Sequence, residues 1–157
     1  MGFALKVLTP DRVLVDADAA ALVLRSSDGD MTVLDGHTSV VAGVVPGVVR
    51  IDPDEGEPLR LAVHGGFLQV DTGPGGEGPS GLATEVALMA GVAELVSEID
   101  VQRARRARDE AEALLADLRA GRPEEGREPS AEEEGAASAL ARAQLRLEAA
   151  GATEPTR

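Results

Sequence analysis

The apolar residues of this chain change period once, at Ile99, and that change restricts the folds open to it. Before Ile99 they come in short Val-rich runs broken by Gly, Pro and Asp: ALKVL, RVLVDA, AALVLRS, MTVLD, GVVRI, LRLAVHGGFLQVD and EVALMAG. Runs of this length at close spacing predict the strands of an all-β sandwich or barrel. No helical segment fits between them, and a parallel crossover needs a dozen or more residues, so antiparallel pairing is expected. Residues 1–96 read as a sandwich of about eight to ten strands.

From Ile99 the pattern is helical. In IDVQRARRARDEAEALLADLRAG, Val101, Ala104, Ala107, Ala111, Leu114 and Leu118 recur at three- and four-residue steps and make one apolar stripe. Ser97, with Asp100 three positions on, predicts the N-terminal cap; Gly121 and then Pro123 predict the stop. A charged loop, RPEEGREP, leads into SAEEEGAASALARAQLRLEAAG, where Ser130 and Glu133 have capping-box spacing. Ala136, Leu140, Ala143, Leu147 and Ala150 form its stripe. Residues 97–157 therefore read as an antiparallel hairpin with helices at about 98–120 and 131–150, which makes the chain α+β: a β-sandwich followed by two helices. Alanine seams let helices approach closely but bury little area, roughly a third or less of what Leu buries at about 25 cal/mol per Å². Such a hairpin is marginal alone and able to detach.

Composition narrows the function. With two Phe and no Trp or Tyr among 157 residues, the core must be aliphatic, and base stacking on aromatic platforms is nearly ruled out. A net charge of −13 argues against nucleic acid and against adsorption to anionic lipid. The charge is uneven: 5 basic and 15 acidic residues up to Glu98, 10 and 13 after it, so the C-terminal third repels anions much less. Without cysteine there is no disulfide or thiolate chemistry. MGFALKVLTP lacks the pattern of a signal peptide and no apolar run approaches a membrane span, so a soluble chain, at most peripheral to a membrane, is expected.

The stretch from Asp28 to Gly47, DGDMTVLDGHTSVVAGVVPG, collects Asp28, Asp30, Asp35 and His37. A metal or acid–base site would need them to converge, yet DMTVLD reads as a strand that holds its ends apart, and Asp-Gly pairs are turn signals first. His64 has no Ser or Cys nucleophile in a recognisable motif, and nothing assembles a triad or carboxylate pair. No independent enzyme, and no metal, is expected. Gly73 to Gly81, GPGGEGPSG, reads as a flexible hairpin loop; a phosphate-binding P-loop would end in Gly-Lys-Ser/Thr, and there is no lysine here. Arg142 and Arg146, at i and i+4, share a helix face and can clamp a phosphate, while Arg103, Arg105, Arg106 and Arg108 form a basic patch with Asp100 one turn before Arg103. The alternative is that these are solvated faces with local partners, such as Arg108 with Glu112.

Four segments, in order, resemble the epsilon subunit of bacterial F-type ATP synthases. Gly29-Asp30-Met31-Thr32-Val33-Leu34-Asp35-Gly36-His37 is similar to the family's G-E-L-G-I-x-P-G-H, and Val44-Val45-Pro46-Gly47-Val48-Val49-Arg50-Ile51 to the hydrophobic run and Pro-Gly that follow it. His64-Gly65-Gly66-Phe67-Leu68-Gln69-Val70 is similar to its G-G-x-L/F-x-V strand, and Ile99-Asp100-Val101-Gln102-Arg103-Ala104 to its I-D-x-x-R-A helix start. The resemblance covers nearly the whole chain. Asp30, Thr32 and Asp35 depart from the usual Glu, Gly and Pro; Pro74 to Thr84 looks like an insertion in a normally tight loop, and Gly121 to Ser130 is unusually acidic.

The resemblance implies a non-catalytic central-stalk subunit. Its sandwich would dock on the gamma subunit and touch the rotor ring, with the loops around Asp30 and His37 facing that interface. Its helices would exist folded as a hairpin or extended into the alpha/beta catalytic head, where they block ATP hydrolysis. In some members the folded hairpin binds ATP as a regulator, and the matching positions here are Glu94, Asp100, Arg103, Ala104, Arg142 and Arg146. Glu110 stands where such members carry a further arginine, and its charge would repel a triphosphate. No cofactor is required; the expected place is the cytoplasmic face of the bacterial plasma membrane, reached only through the complex. The rival from the residues alone is a free-standing β-sandwich adaptor with a helical dimerisation hairpin.

Overall fold

Alternation of side chains builds the first part of the chain. In β1 (Phe3–Leu8) Phe3, Leu5 and Val7 are buried while Ala4 and Lys6 face solvent, the period of two that a half-buried strand requires. The computed structural model describes residues 2–76, 81–121 and 127–152. Its contacts divide it into two units, Met1–Glu98 and Ile99–Arg157.

The first unit continues through β2 (Val13–Ser26), β3 (Gly29–Leu34), β4 (Val40–Val44), β5 (Gly47–Pro53), β6 (Leu59–Val63), β7 (Gly66–Pro74), β8 (Leu82–Ala90) and β9 (Ala93–Leu95). With 14 residues, β2 serves both layers of the sandwich: Val13 to Ala19 pairs with β1, and Ala21 to Ser26 pairs with β3. A register shift between Ala19 and Ala21, in its pairing with β5, marks the irregularity between these two stretches. One layer runs β2-β1-β8-β7-β4 and the other β3-β2-β5-β6-β9. Between them lie Phe3, Leu5, Leu22, Val33, Ile51, Leu61, Val63, Leu68, Val70 and Leu88, each no more than 1% exposed, so the core is aliphatic but for one phenylalanine.

Two expectations need correcting here. Antiparallel pairing holds except between β1 and β8, which are parallel. The crossover argument governs strands adjacent in the chain; β1 and β8 are separated by six other strands, whose path returns the chain without a helix. The loop expected at Gly73 also starts later, because β7 runs to Pro74 and pairs there with Leu82. The Gly75 and Gly76 N–H groups both donate to the Gly81 carbonyl, at 3.1 and 3.2 Å, and residues 77–80 lie outside the described residues.

In the second unit α1 (Val101–Arg119) and α2 (Ala131–Ala149) form the expected hairpin. The cap of α1 is Asp100, whose Oδ1 accepts the Arg103 N–H at 3.0 Å, and not Ser97. Val96–Glu98 is a separate 3₁₀ turn, so Ser97 precedes the start of the helix. The α1 seam contains Ala104, Ala111 and Leu115; Leu114, expected there, is 49% exposed. At ~100° per residue Leu115 falls within about 20° of Ala104 and Leu114 about 80° away, so the stripe follows the straighter line. On α2, Ala136, Ala143 and Leu147 are buried as expected, and Leu145 and Ala149 are buried outside that stripe. Ser130 and Glu133 complete the predicted capping box. The acidic interhelix expectation falls partly on residues 122–126, outside the described residues.

Candidate functional site

The outer face of the β4-β7-β8-β1 layer carries a strip that strand parity did not announce. Phe67 on β7 is 61% exposed, Met89 directly opposite it on β8 is 39%, and Val41 on β4 is 71%. Val41 pairs with Gln69, one alternate position from Phe67, so the three side chains share one face. Val40, Leu68 and Leu88, their chain neighbours, fill the opposite, inner face, which leaves these strands apolar on both sides. Gly66 places Phe67: a Cβ at Gly66 would stand 2.1 Å from the Met89 carbonyl oxygen, so β7 and β8 close here only around glycine. Along the same face the strip gives way to acid. Asp71 and Glu85 face each other across β7 and β8 and, with Lys6 and Gln69, line a groove of about 260 Å³. Gln69 Nε2 donates to Asp71 Oδ2 at 2.6 Å.

The candidate interface residues of the first unit lie apart. Asp30, early in β3, accepts Arg25 Nε at 3.0 Å across the strand pair, with both side chains exposed. His37 follows the other end of β3; its N–H donates to Leu34 O at 3.0 Å and its Nδ1 to Thr38 O at 2.8 Å. Thr72 Oγ1 donates to the His37 carbonyl at 2.6 Å, and Gly36 N–H to Thr84 Oγ1 at 2.9 Å, which ties this turn to β7 and β8. With ~3.3 Å per residue, β3 keeps Asp30 and His37 more than about 10 Å apart. Among the described residues no three His, Asp or Glu gather to hold a metal, so Asp28, Asp30, Asp35 and His37 do not make a ligand set. His64, between β6 and β7, is buried, with Nε2 3.7 Å from Glu94 Oε2.

The candidate nucleotide residues divide by unit. Glu94 lies on β9 in the first unit. Asp100, Arg103 and Ala104 form the first turn of α1; the Ala104 N–H donates to Asp100 O at 2.9 Å, and Ala104 is buried. Arg142 and Arg146 lie one turn apart near the end of α2, beside the start of α1 in an antiparallel hairpin, and Arg142 Nη1 donates to Ser138 Oγ at 2.7 Å. Charges on α2 match the helix dipole, with Glu132, Glu133 and Glu134 in its first turn and Arg146 in its last. Those at the start of α1 do not: its first turn has no acidic residue, and Arg103, Arg105 and Arg106 sit at the positive end. Glu110 is exposed midway along α1. Arg108 gives Nε and Nη2 to Asp109 Oδ1, at 2.9 and 2.7 Å.

Residues 2–73 match the family described as ATP synthase, Delta/Epsilon chain, beta-sandwich domain. The ATP synthase epsilon chain of Symbiobacterium thermophilum is 38% identical over 152 residues, which cover 96% of this chain and 94% of that one. The chain belongs to the ATP synthase epsilon chain family. The epsilon chain of Synechococcus elongatus is 32% identical over 151 residues, 96% of each chain. Among solved structures, a chain of the Euglena gracilis mitochondrial ATP synthase, resolved as OSCP/F1/c-ring in rotational state 1, aligns with a TM-score of 0.67 at 25% identity, over 95% of this chain and 81% of that one. A chain of the Tetrahymena thermophila mitochondrial ATP synthase central stalk and c-ring shares the fold, with a TM-score of 0.51 at 13% identity. Family membership covers both units, since the epsilon chains align beyond the sandwich into the helices. The Phe67 strip escaped sequence reasoning, although apolar doublets at Val40-Val41, Phe67-Leu68 and Leu88-Met89 were its available signal.

Proposed function

We propose that the chain is a non-catalytic central-stalk subunit of a bacterial F-type ATP synthase, which couples ring rotation to the catalytic head and restrains ATP hydrolysis through its helical hairpin. The observation that carries the docking role is the exposed strip of Val41, Phe67 and Met89. Large apolar side chains gathered on an otherwise highly charged chain mark a protein contact. We assign this strip, with the acidic groove beside it, to the gamma subunit. Asp30 and His37 are the rotor-ring contacts in this reading; since β3 separates them, each makes its own contact. The complex places the chain at the cytoplasmic face of the plasma membrane without any membrane contact of its own. Among the described residues no helix is long and apolar enough to cross a membrane.

Regulation rests on the second unit. The hairpin seam is mostly alanine, so little apolar area holds α2 to α1 and an opened form is within reach. ATP, as a regulator and not a cofactor, would favour the closed form by neutralising Arg103, Arg142 and Arg146, with Asp100 and Ala104 shaping the α1 terminus. The basic start of α1 supports an anion there, and Glu110 opposes it.

The docking test is Phe67→Asp. Pull-down from membranes recovers gamma, beta and ring subunits with the parent, and the variant loses them by about tenfold or more with its melting unchanged. Undiminished recovery would remove the strip from the interface, and recovery of nothing but the subunit itself would favour a free-standing adaptor. Deleting Ile99 to Arg157 raises the ATPase rate of the assembled complex if the helices inhibit. Titration with millimolar ATP gives a saturable hairpin response in the parent and none in an Arg142→Ala, Arg146→Ala double variant; no response in the parent ends the ATP-sensing reading.

A further inference from the structure

At one end of the β7–β8 pair the inward-facing rows change chemistry. On β7 the row runs Leu68, Val70, Thr72, and on β8 it runs Leu88, Val86, Thr84, with Thr72 and Thr84 directly opposite each other. Valine has nearly the shape of threonine, so packing alone would be served by valine at both positions. A hydroxyl drawn out of water needs partners, and Thr84 is only 4% exposed. The turn after β3 supplies them. The Gly36 N–H donates to Thr84 Oγ1 at 2.9 Å, Thr72 Oγ1 donates to the His37 carbonyl at 2.6 Å, and the two hydroxyl oxygens are 3.2 Å apart. A hydroxyl has one proton and a carbonyl can only accept, so the Thr72 proton is committed to His37. The proton between the hydroxyls is then that of Thr84. The bonds run in one direction, from the Gly36 N–H through Thr84 and Thr72 to the His37 carbonyl, and bonds in such a chain strengthen one another. Ser39 adds a further tie, its Oγ accepting the Thr72 N–H at 2.9 Å.

We propose that Thr72 and Thr84 are positioning residues for docking: their paired hydroxyls bracket the Gly36–His37 turn and hold His37 preset for its partner. The His37 ring is fixed in the same turn, with Nδ1 on the Thr38 carbonyl, which directs Nε2 to the contact. A turn ordered before binding spares the cost of ordering it on contact. Thr84 closes the Pro74 to Thr84 stretch that looks like an insertion, so the lengthened β7–β8 hairpin supplies half of the bracket. The bracket is a property of the subunit alone; its use in docking rests on the reading of His37 as a rotor-ring contact.

Amide hydrogen exchange in the full-length subunit tests the bracket. Thr84→Val removes the acceptor of the Gly36 N–H and speeds its exchange by roughly tenfold, while Leu68 and Val70 in the core of the same hairpin keep their rates. Thr72→Val also speeds Gly36, which Thr72 does not touch, and the double variant exchanges no faster than Thr84→Val. Thr84→Ser restores the parent rate. Unchanged exchange in Thr84→Val, or a serine that behaves as valine does, would overturn the bracket. The affinity of the gamma-bound subunit for detergent-solubilised rotor ring then tests its use. Thr72→Val and His37→Ala each weaken it by about threefold or more, and together no further, because Thr72 acts through His37. If His37→Ala weakens ring binding and Thr72→Val does not, the positioning role fails and the His37 contact stands. If neither weakens it, the ring reading of His37 fails and the preset docking with it, while faster Gly36 exchange keeps the bracket as a feature of the fold.

Discussion

The sandwich and the hairpin are built by one principle to opposite ends. Between the sandwich layers lie Leu, Val and Ile with Phe3, most of them wholly excluded from water, and each such side chain contributes about 1.5–3 kcal/mol on burial. The hairpin's buried set is Ala104, Ala111, Ala136, Ala143 and Ala149 with three leucines. Alanine brings two helices close and rewards them little, so the second unit leans more on its caps and on local polar links such as Arg127–Glu133. The first unit is held by buried area, and the second has less of it to lose.

Removing a core side chain measures this contrast most directly. Leu68→Ala, in the sandwich where Leu68 is fully buried, costs about 2–5 kcal/mol in urea melting, and Leu115→Ala in the hairpin falls at or below the bottom of that range. Equal losses would break the contrast. The reverse experiment is Ala143→Leu. Ala143 is fully buried in the seam, so the added carbons force the helices apart and destabilise the hairpin by about 1–3 kcal/mol, read as lost helical signal before the sandwich melts.

These contrasts were unevenly legible. Strand runs, the two helices and the Ser130 box announce themselves because each is encoded within a few neighbouring residues. The Asp100 cap was obscured by an equally well-spaced Ser97, and only the intervening 3₁₀ turn decides between them. Leu115 lost to Leu114 because steps of three and four fit both, while packing between helices favours the straighter line through Ala104 and Ala111. The parallel β1–β8 pair depends on the path of six intervening strands, which no local pattern records. The arginines of the nucleotide hypothesis were legible as a spacing, whereas the Phe67–Met89–Val41 strip needed the pairing register, and the Arg127–Glu133 pair needed the turn.

Acid separates the units by a third route. The Ser130 backbone N–H, aided by Arg127, holds the Glu133 carboxyl below the usual carboxylate range against the opposing effect of burial. A group with a depressed folded pKa stabilises the fold above its unfolded value, near 4.3, and loses that contribution as pH falls through the lower folded value. Stability of the helical unit, read as protection of α2 amides relative to their intrinsic exchange rate at each pH, is therefore flat from neutral pH to about 5 and falls below about 4. Glu133→Gln removes this acid-dependent contribution, and an undiminished loss of protection in that variant would assign it elsewhere.

The smallest effect belongs to one residue of the stretch that collects Asp28, Asp30, Asp35 and His37. Asp30 pairs with Arg25 across β2 and β3 at 3.0 Å, but both side chains are exposed, so the pair is screened by water and salt. Asp30→Asn changes the stability of the isolated subunit by no more than about 0.5 kcal/mol in urea melting. If Asp30 meets the rotor ring, the same substitution weakens recovery of ring subunits in pull-down while stability stays level, and the loss deepens at low salt, where the lost charge acts furthest. Equal recovery at every salt concentration would leave Asp30 as a strand-end ion pair and move the ring contact to the His37 turn.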